Sequence, residues 1–192
     1  MQSGPFIAAT SAIYKVAAPT VREFARILKA NELFSTGARG VNAPHMTPLD
    51  AARITLALLG TERPSQAAEV VRKFGAYTFD REMSRCSARE DGGDPEYAPD
   101  VEEVLAAYFS FDHRYGMIHE VKIEPSGYWV GIERWGGSGP TLGETMFFTP
   151  AHQTLDQLKK AEDEIEPKRG IRRTSSLLGY DMMELAKCVR DD

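Results

Sequence analysis

A chain of 192 residues with 42% apolar and 27% charged side chains can bury a core, so global disorder is excluded. Its net charge of −5 excludes a general basic coat for nucleic acid. No apolar run approaches the ~20 residues of a membrane span, and the N-terminus lacks the basic flank of a signal peptide, so no membrane partner is expected.

The charge is unevenly spread. Residues 1–89 carry 12 Lys and Arg against 7 Asp and Glu, a balance of +5; the remainder carries 11 against 21, a balance of −10. One end that meets phosphates would produce this, and so would two surfaces that merely differ in charge. Cys86 and Cys188 lie far apart and match no ligand or redox spacing, which points to a reduced, cytoplasmic setting.

In chain order, Ile7, Ala8, Ala12 and Ile13 can share one face of a first helix, with Tyr14 beside it. Pro19 disfavours helix at the residue before it, so a boundary near Ala18 follows. Thr20-Val21-Arg22-Glu23 fits a capping box, and Val21, Phe24, Ala25 and Leu28 follow the spacing of a buried stripe. Arg22, Arg26 and Lys29 fall away from that stripe, toward solvent. Asn31 can end this second helix, with Leu33 and Phe34 tucked back into the core. A loop follows with Gly37, Arg39, Gly40, Asn42, Pro44 and His45, whose glycines permit a tight hairpin. Thr47-Pro48-Leu49-Asp50 is a helix start, with threonine at the N-cap, proline in the first turn and an acid near the positive end. Leu49, Ala52, Leu56 and Leu59 would form its buried face, and Gly60 would stop it. Pro64 or Ser65 opens a fourth helix with Ala67, Val70, Val71 and Phe74 inward.

On Thr20-Val21-Arg22, Gly37-Ala38-Arg39-Gly40 and Thr47-Pro48-Leu49-Asp50-Ala51-Ala52-Arg53, the front resembles a winged helix-turn-helix domain of the MerR-type head. Phage- and prophage-borne proteins with a Gly-Arg-Gly wing are similar. The likeness covers residues 7–59. It implies a recognition helix over 21–31 and a wing over 34–46, and so double-stranded DNA as partner. The turn carries Ala17-Ala18 where many such domains have glycine, and the long coiled-coil helix usual after such heads is absent.

The chemistry of DNA contact suits these residue types. Arg22 and Arg26 can each donate a bidentate pair to guanine, while Lys29 suits phosphate as a point charge. Thr20 and the amides after it could hold a phosphate at a helix N-terminus. Arg39 between glycines suits a narrow minor groove. Asn42 and His45, on the same loop, complete the candidate DNA-binding set. The plain alternative is that Arg22 or Arg26 pairs with Glu23, and that Arg39 only solvates a hairpin tip.

In the rear half, residues 84–99 are rich in turn formers and charge and read as a linker. Asp100-Val101-Glu102-Glu103 starts a helix, with Val101, Val104, Leu105 and Tyr108 as its apolar face. Met117, His119, Val121 and Ile123 alternate with Ile118, Glu120 and Lys122; Tyr128, Val130 and Ile132 alternate after a Pro125-Ser126-Gly127 turn, giving a β-hairpin. Residues 144–149 read as a third strand. A charged helix from Thr149 toward Glu166, a short strand within 171–177 and a final helix over 180–189 complete the chain.

The fold expected is therefore α+β: an N-terminal winged helix-turn-helix domain (1–83), the linker (84–99) and a small C-terminal α+β domain with an antiparallel sheet (100–192), through which the chain would form a homodimer or sense an effector. The aromatic side chains Tyr128, Trp129, Trp135, Phe147 and Phe148 would be sheet core or such an interface. No P-loop, dinucleotide fingerprint, nucleophile elbow or HExxH occurs, so no enzyme and no cofactor is expected. Asp112, His113, His119 and Glu120 are the densest titratable cluster, but strand alternation would split His119 from Glu120. The expectation is a sequence-specific DNA-binding transcriptional regulator of bacterial or phage type. The alternatives are a phage packaging or recombination accessory factor, and a protein-interaction module that inhibits a host complex.

Overall fold

The structure is a computed structural model that describes residues 2–37, 45–81, 84, 98–112, 117–124, 129–135, 142–150 and 175–190. Six α-helices and a five-stranded antiparallel sheet make it α+β among these residues. The helices are α1 (Ser3–Tyr14), α2 (Ala18–Ala30), α3 (Pro48–Gly60), α4 (Ala67–Gly75), α5 (Val101–Phe109) and α6 (Gly179–Arg190). The strands are β1 (Thr78–Phe79), β2 (Ile118–Ile123), β3 (Val130–Trp135), β4 (Leu142–Thr149) and β5 (Ser175–Leu178), in sheet order β1-β4-β3-β2-β5.

The first helix departs from its expected face. Phe6 and Thr10 are buried, while Ala8 and Ala12 are exposed and Ile7, Ile13 and Tyr14 only half-buried. The Thr10 hydroxyl donates to the Phe6 carbonyl at 2.9 Å, which lets a polar side chain enter the core without an unmet donor. Lys15, at φ 55°, ends α1, and the Ser11 hydroxyl donates to the Val16 carbonyl at 2.7 Å. The turn from α1 to α2 is thereby fixed.

The boundary falls at Ala18 as Pro19 demands, but the Thr20 capping box does not form. Helix α2 begins before it, with Ala17 at the N-cap, no side-chain cap and proline in the first turn. Proline's missing N–H and fixed φ suit a first turn, so it starts the helix and carries Thr20 inside it. The expected stripe is buried: Val21, Phe24, Ala25 and Leu28. Asn31 closes the helix. Beyond it Glu32 adopts φ 60°, with its N–H on the Lys29 carbonyl (3.2 Å) and the Leu33 N–H on the Leu28 carbonyl (2.9 Å), a Schellman closure that folds Phe34 into the core.

Helix α3 starts where Thr47-Pro48-Leu49-Asp50 places it, with a complete capping box. Leu49 is not buried but 37% exposed, and Asp50 is buried instead. Asp50, Ala51, Ala52, Ile54, Thr55, Leu56 and Ala57 are all buried, so α3 is enclosed on most sides. Leu49, in its first turn, borders a cavity with Ala106 and Ala107 of the later helix α5. Gly60 ends α3 where a Cβ would lie 2.4 Å from the Val70 side chain of α4.

In the sheet, Val121 and Ile123 of β2 face Ile132 and Val130 of β3, which face Met146 and Phe148 of β4; all six are buried. Helices α3 and α6 pack against β2 and β5. The alternation expected for β2 fails at its start. Ile118 is buried with Val121 and Ile123, while Met117 is exposed and His119 half-exposed, because the register slips between Ile118 and Glu120. A bulge inserts a residue and switches the faces of everything before it.

Front and rear elements share one core. A single cluster of buried side chains runs from Phe6 and Phe24 through Ile54, Leu56, Leu105 and Ile132 to Leu185. Helix α3 packs on α5, and α1 packs on α6. Arg53 of α3 pairs with Glu102 of α5 across that contact. The expected linker 84–99 lies outside the described residues save 84, 98 and 99, and so do the charged helix within 151–166 and His113.

Candidate nucleic-acid interface

The sequence places seven side chains at a DNA surface, and the structure brings only some of them together. Val21, Phe24, Ala25 and Leu28 hold one side of α2 in the core, which turns Pro19, Arg22, Arg26 and Ala30 outward as a continuous stripe. Arg22 and Arg26 are thus one turn apart on the exposed face. Arg22 is exposed and makes no ion pair among the described residues.

Arg26 is engaged. Its Nε donates to both Glu23 carboxylate oxygens (3.1 and 3.0 Å) and its Nη2 to Oε1 at 2.7 Å. The hydrogen bonds from Arg26 hold the Glu23 carboxyl below its ordinary range, and the carboxylate in turn raises the guanidinium. Both side chains stand in solvent, so this pair is weak and exchangeable.

Lys29 does not project freely. Its Nζ donates to the Ser3 hydroxyl at 2.8 Å and lies 5.9 Å from the centre of the Phe34 ring. It joins α2 to the start of α1. Thr20 is half-buried within the first turn of α2 rather than ahead of it. Arg39 and Asn42, with the middle of the expected wing, lie outside the described residues. His45 is exposed, and its backbone forms an antiparallel bridge with Gln2.

Sequence reasoning missed what anchors this region. Asp50 accepts from the Ser35 N–H and hydroxyl at 2.7 Å each, from the Thr47 N–H at 2.7 Å and from the Thr47 hydroxyl at 2.8 Å. One carboxylate therefore ties both ends of the 35–47 connection to the start of α3. The T-P-x-D spacing signalled the cap but not Ser35, which is remote in sequence. At the far end of α2, Arg72 of α4 donates from Nη2 to the Asn31 carbonyl at 3.1 Å, meeting the partial negative charge of a helix C-terminus.

A second concave feature lies away from α2. A cavity of about 380 Å³ opens between β2, β5 and the first turn of α6, bordered by Met117, His119, Leu178 and Tyr180. Among the described residues no group of three or more His, Cys, Asp or Glu could hold a metal ion. No described helix is long and apolar enough to cross a membrane.

The chain is α+β, with an exposed arginine stripe on its second helix and an apolar cavity at a strand-to-helix junction. No family model, no curated protein and no solved structure matches the chain.

Proposed function

We propose that the chain is a sequence-specific DNA-binding regulator whose front half works as a winged helix-turn-helix, with α2 in the major groove. The observation that carries this reading is the Arg22 and Arg26 stripe. It stands on the second of two helices joined by a pinned turn, with its back fixed in the core. A rigid helix that presents arginines one turn apart is suited to guanine edges, because a guanidinium can donate two parallel bonds to O6 and N7. The loss of the Glu23 pair on contact costs little, since both side chains stand in solvent and water screens the pair. One such helix reads few base pairs, so two copies on half-sites one helical turn apart are part of the proposal.

A second reading is favoured by Glu23. It sits among the arginines and neutralises part of their field, which suits an acidic protein partner with a few basic spots better than a phosphate backbone.

Fluorescence anisotropy on DNA selected from a random pool separates the two. DNA binding requires an affinity that falls steeply with salt, and Arg22→Ala should cost ~1–3 kcal/mol on the selected site and less on random DNA. Absence of any salt-sensitive binding, or an Arg22→Ala, Arg26→Ala double variant that binds as wild type, would leave the protein-partner reading in its place.

A further inference from the structure

We propose that the cavity between β2, β5 and the first turn of α6 is a binding site for a compact, uncharged, largely apolar small molecule. The site is distinct from the α2 face and does not rest on DNA binding.

The first argument is size and lining. A cavity of about 380 Å³ lies within the ~300–1,000 Å³ of small-ligand sites, which are mostly apolar with a few placed polar groups. Met117, Ile118, Leu178, Tyr180 and Met183 supply apolar walls, and His119 supplies the one imidazole. Among the described residues no Asp, Glu, Lys or Arg lines it, so a charged ligand would lose its hydration without a counter-charge. Two methionines give walls that adapt to ring or branched shapes.

The second argument is exposure. The described residues leave four large apolar side chains exposed, and three of them form this rim: Met117 at 40%, Leu178 at 51% and Tyr180 at 74%. Scattered apolar residues need no explanation, but three converging on one concavity do. A concavity of about 380 Å³ matches the size of a small-ligand site, whereas a stable protein interface buries ~800 Å² per partner, which favours a small molecule over a second copy.

The third argument is that the floor is preformed. Strand β5 runs directly into α6, and a Cβ on Gly179 would lie 1.9 Å from the Ile118 carbonyl oxygen, so the two backbones touch. The Tyr108 hydroxyl donates to the Gly179 carbonyl at 3.0 Å. Tyr108 lines the cavity, and burial pushes its phenol up to about 12. A site already ordered costs less to fill.

The test is calorimetric titration of the full chain, without DNA, with 2-naphthol and with 2-naphthoate as its charged counterpart. Expected is one 2-naphthol per chain in the micromolar range, and 2-naphthoate at least about tenfold weaker because its charge has no partner. Leu178→Ser and Tyr180→Ala, both at exposed positions and so compatible with folding, should weaken 2-naphthol at least about fivefold, with circular dichroism unchanged. Met183→Trp should fill the cavity and abolish binding. Three results overturn the proposal: no heat at millimolar 2-naphthol; binding that none of these variants alters; or a dimer by light scattering that Tyr180→Asp splits, which would assign the rim to a second copy. None of these bears on α2, whose test uses DNA and a different face.

Discussion

At the scale of single residues, Asp50 shows how one carboxylate can organise a region. Every donor that reaches it, from Ser35 and Thr47, points at an acceptor. Replacing the carboxylate by an amide would set a second donor against those hydroxyls and amides. Asp50→Asn is therefore expected to cost about 2–3 kcal/mol in urea unfolding, from lost charged hydrogen bonds and an unmet buried donor. Thr47→Ala, which removes the cap and the Thr47 hydroxyl's bond to Asp50, should cost about 1 kcal/mol. Equal effects of the two would mean that the bonds Thr47→Ala leaves in place, from Ser35 and from the Thr47 N–H, contribute nothing. The same scale explains what could not be read from the sequence around α2. Lys29 looked like a phosphate contact because its spacing puts it off the buried stripe. Its actual partner, Ser3, lies on another helix, and a pattern along one helix carries no information about that. Glu23 is different: it stands three residues before Arg26, so their pairing was legible.

At the scale of elements, periodicity located the helices well, because each buried stripe is a local property of the chain. The stripe of α2, the cap of α3, the apolar face of α5 and the buried side of α6 all stand where spacing put them. It failed where a neighbour decides. Leu49 fits the stripe of α3 but borders an open cavity beside α5, and the β2 register slip inverts an otherwise regular alternation. That bulge sits beside a polar cluster on the other face of the sheet, where Lys122 lies 2.9 Å from Glu120 and 2.6 Å from Glu133. Desolvation pushes the Glu120 carboxyl up, but hydrogen bonds from Lys122 and Ser176 and the nearby positive charge outweigh it and hold the group below its ordinary range. The sign follows. A carboxyl depressed in the folded state adds stability above its unfolded pKa, and this is lost as pH falls through the folded value. Glu120→Gln should therefore be less stable than wild type at pH 7, and the gap should close as the pH drops below about 4. Urea midpoints at the two pH values measure this, and a gap that widens in acid would refute the assignment.

At the scale of the whole molecule, the shared core joins what composition and charge seemed to divide. The charge step between residues 1–89 and the rest is a property of surfaces, while the cluster from Phe6 to Leu185 is a property of interiors, and the two need not agree. The prediction is a single cooperative transition in urea. Far-ultraviolet circular dichroism, dominated by the helices, and the fluorescence of the two tryptophans, Trp129 beside Phe147 and Trp135 at the end of β3, should report one midpoint. Two separated midpoints would mean that the α3–α5 and α1–α6 contacts do not couple front to rear.

The packing of α1 on α6 also sets an order of events during synthesis. Helix α1 is the first described helix to leave the ribosome and α6 the last. At translation speeds of about 5–20 residues per second, α1 waits for seconds before its packing partner exists. Edge strand β5 arrives at the same late moment, because it runs straight into α6. Nascent chains halted before residue 175 should accordingly be held by chaperones or lost to proteases, while chains that include α6 escape both.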